Sequence, residues 1–160
     1  QRCMIPKCLQ SAVLKGTPSE SLVLIDGPPG TGKTSELVKR IPETGRVLLV
    51  APSNVGAANL YSKVLNHGHS DVALCLPPER TPSGTVVLSN DPTKRIVCAT
   101  ISGRCGRVLD SQSFSTVLLD EAAQCIEANA WCLFREDVRL LCMAGDCKQL
   151  SGTVSLSGKV

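Results

Sequence analysis

Five stretches of the chain are apolar at nearly every position: "SLVLID" (21 to 26), "RVLLVA" (46 to 51), "RIVCAT" (95 to 100), "STVLLDE" (115 to 121) and "RLLCMAGD" (139 to 146). Short runs of this kind, rich in Val, Leu and Ile, suit parallel strands that are covered on both faces. Three intervening stretches, "GKTSELVKRI" (32 to 41), "NVGAANLYSKVL" (54 to 65) and "EAAQCIEANAWCLF" (121 to 134), place apolar residues at three- and four-residue intervals instead. That is the pattern of a helix laid on a sheet. Alternation of the two patterns predicts an α/β domain, a parallel β-sheet with helices on both faces and right-handed crossovers. Two patches break the rhythm: "NHGHSD" (66 to 71) and a proline-rich stretch from 77 to 93. The span 66–94 therefore reads as loop or a small irregular insertion.

The 160 residues make one domain, long enough to bury most of their apolar surface. The chain starts on Gln1 and stops at Val160 with no terminating signal, so the expectation is a fragment of a longer protein. No apolar run approaches the roughly 20 residues a bilayer requires, and no charged start precedes an apolar stretch and a cleavage site. Neither a membrane partner nor secretion is expected. The formal charge of +3 is too small to identify a nucleic-acid binder by itself. Nine cysteines (3, 8, 75, 98, 105, 125, 132, 142 and 147) form no Cys-x-x-Cys pair, and several lie inside apolar runs. An odd number of cysteines without a secretory signal points to buried free thiols in a reducing, intracellular compartment, cytoplasmic or nuclear. The rival is a metal site that joins His67 and His69 to distant cysteines, although structural zinc ligands usually come in closely spaced pairs.

The richest chemistry lies in "LIDGPPGTGKTSELV", 24 to 38. A polyphosphate carries several charges and many acceptor oxygens, and a nest of backbone amides meets both needs. Gly27, Gly30 and Gly32 let the backbone wrap without a Cβ in the way, and the helix that follows turns its positive end to the same point. Lys33 can then reach the outer phosphates, while the Thr34 hydroxyl can ligate Mg²⁺. Pro28, Pro29 and Thr31 complete the candidate binding loop. A predicted strand enters it and a predicted helix leaves it, the context that this motif demands. Such a site also needs a second carboxylate for the metal and a group to orient the attacking water. Asp120, at the end of an apolar strand in "VLLDEAAQ", suits the first role, and Glu121 the second.

The phosphate loop alone also fits ring-forming AAA+ ATPases. "VLLDEAAQ" followed by "MAGDCKQL", however, resembles motifs II and III of superfamily 1 helicases, in particular the branch that contains the nonsense-mediated decay helicase. The resemblance extends along most of the chain in the family's order. "CLQSAVL" looks like the Q motif, with Gln10 seventeen residues before Gly27; "LLVAPSNVGAANL" is similar to motif Ia, and "IVCATISG" to the segment ending in a threonine that touches nucleic-acid backbone.

This resemblance implies the first RecA-like domain of a P-loop NTPase, with ATP and Mg²⁺ as cofactors and single-stranded RNA or DNA as partner. It implies that Gln10 recognises adenine, whose N6 and N7 edge an amide can match. Gln149 would sit by the γ-phosphate, and Ser53, Asn54 and Thr100 would contact phosphates of the strand. Ser53 and Asn54 also suit a helix cap. Ala58 stands where relatives usually carry an aspartate, and Ser151 and Gly152 where they have a proline, which weakens the match at motifs Ia and III. Aromatic residues are only 2% of the chain, so strand grip is expected from the backbone more than from base stacking. The second RecA-like domain and its arginines are not in this sequence, so the chain alone is expected to bind ATP and hydrolyse it slowly. The alternatives are an AAA+ remodelling ATPase and a degenerate nucleotide-binding module. Some 90 residues between loop and "LLDE" disfavour the first, and intact Lys33, Thr34, Asp120 and Glu121 the second.

Overall fold

The computed structural model describes residues 21–76, 90–104, 107–125 and 127–148. Gln10 and Gln149 lie outside them. Six parallel strands form one sheet in the order β1-β6-β5-β2-β4-β3: β1 (Leu22–Asp26), β2 (Val47–Ala51), β3 (Val72–Cys75), β4 (Ile96–Thr100), β5 (Thr116–Leu119) and β6 (Leu140–Gly145). All five apolar runs are strands. The central strands β2, β4 and β5 are buried at every position, as continuous apolar runs require. Strand β1 lies at an edge and alternates in burial, leaving Leu24 54% exposed.

The faces separate by the two-residue period of a strand. Leu49, Leu118 and Cys142 pack on one side against α1 (Lys33–Lys39) and α2 (Asn54–Asn66), chiefly through Leu37, Leu60 and Val64. Leu48, Val50, Val97 and Leu119 face the other side with Phe114 and Leu133. At the strands' amino ends, Arg46 lies over the Phe114 ring at 4.7 Å and donates to Gln112 Oε1 at 2.8 Å, to Lys94 O at 3.2 Å and to Pro92 O. Arg95 Nη1 donates to Pro42 O at 3.0 Å. These cations are committed to carbonyl oxygens and tie loops together.

Three features differ from the sequence reading. Strand β3 falls inside the span 66–94 that reads as irregular, because its short apolar run, 72–76, sits between the polar patch and the proline-rich stretch that dominate that span. The apolar pattern from 121 to 134 predicts one helix, whereas the chain makes a 3-10 turn (Ala122–Gln124), the short helix α5 (Glu127–Ala130) and a second 3-10 turn (Trp131–Leu133). Glu121 at φ 53° and extended Cys125 (φ −80°, ψ 130°) interrupt it. Two further short helices, α3 (Ile101–Arg104) and α4 (Arg107–Asp110), follow β4. Among the described residues no helix is long and apolar enough to cross a membrane. Cys98 and Cys142 are buried free thiols, and burial pushes the Cys142 thiol up to about 11.

Candidate functional site

Strand register assembles the site. Asp26 pairs with Gly145, Leu119 with Met143, Val50 with Leu119, and Ala51 with Thr100. The carboxyl ends of β1, β6, β5, β2 and β4 therefore finish in one row, the edge of an open α/β sheet where ligands bind. Neighbouring strands are about 4.8 Å apart, so the phosphate loop after β1 and Asp120 after β5 stand roughly 10 Å apart across β6. Ser53 and Asn54 follow β2 at the same edge, and Thr100 ends β4.

The loop from Gly27 to Gly32 is built around its glycines. Gly30 and Gly32 have φ of 78° and 84°, and a Cβ on either would meet nothing within 4 Å. Backbone conformation, not crowding, therefore requires glycine there. Thr31 Oγ1 donates to Pro28 O at 2.8 Å, and Lys33 Nζ donates to Gly27 O at 2.5 Å and Pro28 O at 2.8 Å, so the ammonium spans the loop. Pro29 is exposed on the loop, and Thr34 is half-buried in the first turn of α1. The cavity above has a volume of about 490 Å³ and is lined by Asp26, Gly27, Thr31, Gly32, Lys33 and Glu36, among others. Helix α1 has only seven residues, so the loop and Lys33 carry more of the local positive field than its dipole does.

Asp120 is buried, its N–H donates to Val50 O at 2.9 Å, and its Oδ1 accepts from the Glu121 N–H at 3.0 Å. Glu121 is exposed and is the one non-glycine residue with positive φ among the described residues. A left-handed conformation at such a residue costs about 1–3 kcal/mol and tends to occur at functional sites. The Glu121 carboxylate reaches the first turn of α2, where its Oε2 lies 3.9 Å from the place a Cβ on Gly56 would take. Ser53 caps α2, its Oγ accepting from the Gly56 N–H at 3.0 Å. Thr100 Oγ1 accepts from the Gly103 N–H at 2.9 Å. In both cases the cap uses a lone pair; the Ser53 hydroxyl proton remains a donor, and the Thr100 hydroxyl shares a 3.3 Å contact with the Ser102 hydroxyl in which either can donate. Hydroxyl and carboxylate oxygens at Thr34 and Asp120 are the hard donors that Mg²⁺ takes, so the donor set fits that ion.

One participant has no sequence motif. Asp26 Oδ1 accepts from the Cys147 N–H at 3.1 Å and Oδ2 from the Cys147 thiol at 3.3 Å, joining the start of the phosphate loop to the turn after β6. The Cys147 backbone N–H, then its thiol, hold the Asp26 carboxyl below its ordinary range, while Asp26 raises the Cys147 thiol. The only hint in the sequence is an acid at the last position of an apolar strand.

A family model described as an AAA domain matches residues 6–81 and 92–156. Among curated proteins, mov-10-B.1 of Danio rerio is 30% identical over 176 residues, covering 86% of this chain and 17% of that protein. The ATP-dependent helicase NAM7 of Saccharomyces cerevisiae is 27% identical over 200 residues, covering 94% and 20%. This chain belongs to the AAA-domain family of superfamily 1 helicases. The helicase-family domain spans about a fifth of the length of these curated relatives. Its fold is that of the arterivirus nonstructural protein 10 helicase solved with DNA, at a TM-score of 0.63 and 23% identity, over 95% of this chain and 34% of that one. The α/β RecA-like P-loop fold is thus shared between them.

Proposed function

We propose that this domain is the ATP-binding first RecA-like domain of a longer helicase, in which hydrolysis of Mg·ATP drives movement along single-stranded RNA or DNA. The observation that carries the reading is the shared carboxyl edge, where the phosphate loop, the Asp120–Glu121 pair and the Ser53 and Thr100 caps stand at the ends of β1, β5, β2 and β4 of one sheet. Amides of Gly30, Thr31 and Gly32 hold the phosphate oxygens, and Lys33 moves its ammonium from the Gly27 and Pro28 carbonyls to the outer phosphates. Thr34 and Asp120 would hold the magnesium ion, which when bound neutralises charge on the phosphate oxygens. Glu121 orients the attacking water and accepts its proton. Ser53, Asn54 and Thr100 bind strand phosphates, which carry no sequence information.

Gln10 would recognise adenine and Gln149 would meet the γ-phosphate, and both rest on the family's motif order alone. The second RecA-like domain would complete the ATPase, since an arginine supplied to the γ-phosphate is worth about 10³ to 10⁵ in turnover. Residues 1–160 then form a single domain, with a small insertion within the span 66–94 around β3. The test is a titration with a fluorescent ATP analogue. Lys33→Ala is expected to abolish binding, and unchanged affinity defeats the assignment. Ser53→Ala and Thr100→Ala are expected to weaken binding of a labelled single strand while leaving ATP affinity in place.

A further inference from the structure

We propose that Asp26 is a positioning residue that locks the turn after β6 to the phosphate loop, so that the two sides of the nucleotide site are held in register; this rests on the nucleotide-binding reading above. Three contacts join the two segments at one point. The Gly27 N–H donates to Gly145 O at 3.2 Å, continuing the β1–β6 pairing by one residue. Asp26 then takes over with its side chain, accepting from the Cys147 N–H at 3.1 Å and the Cys147 thiol at 3.3 Å. The Asp146 carboxylate stabilises the same turn from within, its Oδ1 accepting from the Lys148 N–H at 2.9 Å.

Geometry explains why an acid is used. Asp26 lines the phosphate cavity, where a free carboxylate would repel a triphosphate. With one oxygen on the Cys147 amide and the other on its thiol, the group is turned to the neighbouring strand and its charge is met by donors. The turn that it holds, 146–148, leads directly into Gln149. Loosening it leaves the amide and lysine grip on the phosphates in place, while the β6 side loses its fixed position relative to them. Misplacement on an ångström scale costs turnover by one or two orders of magnitude without removing binding. The side chain of Cys147 matters less, because its backbone amide supplies the shorter contact.

The experiment measures ATP turnover of the full-length protein with a single strand present, together with amide hydrogen exchange at Cys147. In Asp26→Ala, kcat is expected to fall on the order of tenfold with KM for ATP changed less than about twofold, and Cys147 amide protection to be lost. Asp26→Asn keeps an oxygen acceptor for that amide and is expected to recover most of the turnover and the protection. Cys147→Ala, which removes the thiol contact and keeps the amide, is expected to fall between the parent and Asp26→Ala, and a loss as large as that of Asp26→Ala overturns the primacy of the amide contact. The proposal is overturned if Asp26→Ala leaves kcat unchanged, if KM alone rises, or if Asp26→Asn is as impaired as Asp26→Ala. Lys33→Ala, measured in parallel, separates the two claims. Retained ATP binding there removes the nucleotide reading, whereas lost binding with an unaffected Asp26→Ala removes only the tether.

Discussion

Gly56→Ala sets helix propensity against packing, and the two disagree in sign. Position 56 is in the first turn of α2, where replacing glycine by alanine ordinarily stabilises a helix by up to about 1 kcal/mol. A Cβ there would stand 2.8 Å from the Ala51 Cβ and 3.1 Å from the Ser53 Oγ. Neither neighbour can retreat: Ala51 is fully buried in β2, and Ser53 Oγ holds the Gly56 N–H at 3.0 Å as the cap. The first turn must lift from the sheet. Overpacking of this kind costs about 1–3 kcal/mol, and a disturbed cap about 1 kcal/mol more. Set against the propensity gain, the net is a loss of about 1–3 kcal/mol, or about 2 to 4 °C in Tm for each kcal/mol. Urea unfolding at 25 °C measures it, with a lower midpoint expected at unchanged slope. Gly68→Ala is the control, since at φ 89° with nothing within 4 Å it tests backbone strain alone. A midpoint for Gly56→Ala equal to or above the parent's refutes the packing argument.

Other predictions concern strain, a half-buried carboxylate and thiols. Glu121→Gly is expected to relieve the left-handed backbone and raise stability by up to about 1 kcal/mol while abolishing ATP turnover, read by melting and a phosphate-release assay; a destabilised variant contradicts the strain. Asp137→Ala removes the acceptor of the Ser113 hydroxyl at 2.6 Å and the Phe114 N–H at 2.7 Å, and is expected to cost about 1.5–3 kcal/mol in urea unfolding. At pH 8 a thiol reagent is expected to label Cys147 well before Cys98 or Cys142, which react only on unfolding; mass spectrometry of digests decides. Cys75 and Cys142 are raised to about 11 in the folded chain from 9.0, so the unfolded chain releases their protons first as pH rises. Their contribution is full below about pH 9 and is lost between about 9 and 11; stability flat across that window contradicts their burial.

The fold was legible because buried parallel strands are continuous apolar runs, and five of six announce themselves that way. The sixth, Val72–Cys75, is no shorter than β5, but the polar and proline-rich stretches on either side hide its apolar run. The phosphate loop was legible because glycine is required by its backbone: φ at Gly30 and Gly32 explains the letters. The stretch 121–134 misled because its spacing is helical while Glu121 is held left-handed, and tertiary context decided against local preference. No pattern marks Asp26, because its partner Cys147 is 121 residues away and register alone brings them together.

In the proposed function, nucleotide and strand meet at one sheet edge. The most direct measurement is steady-state ATP hydrolysis by the full-length protein with and without single-stranded RNA or DNA, alongside Glu121→Gln. Strong stimulation by a single strand is expected, and in Glu121→Gln retained ATP binding with turnover lost. An ATPase indifferent to every nucleic acid, or undiminished in Glu121→Gln, would contradict that function.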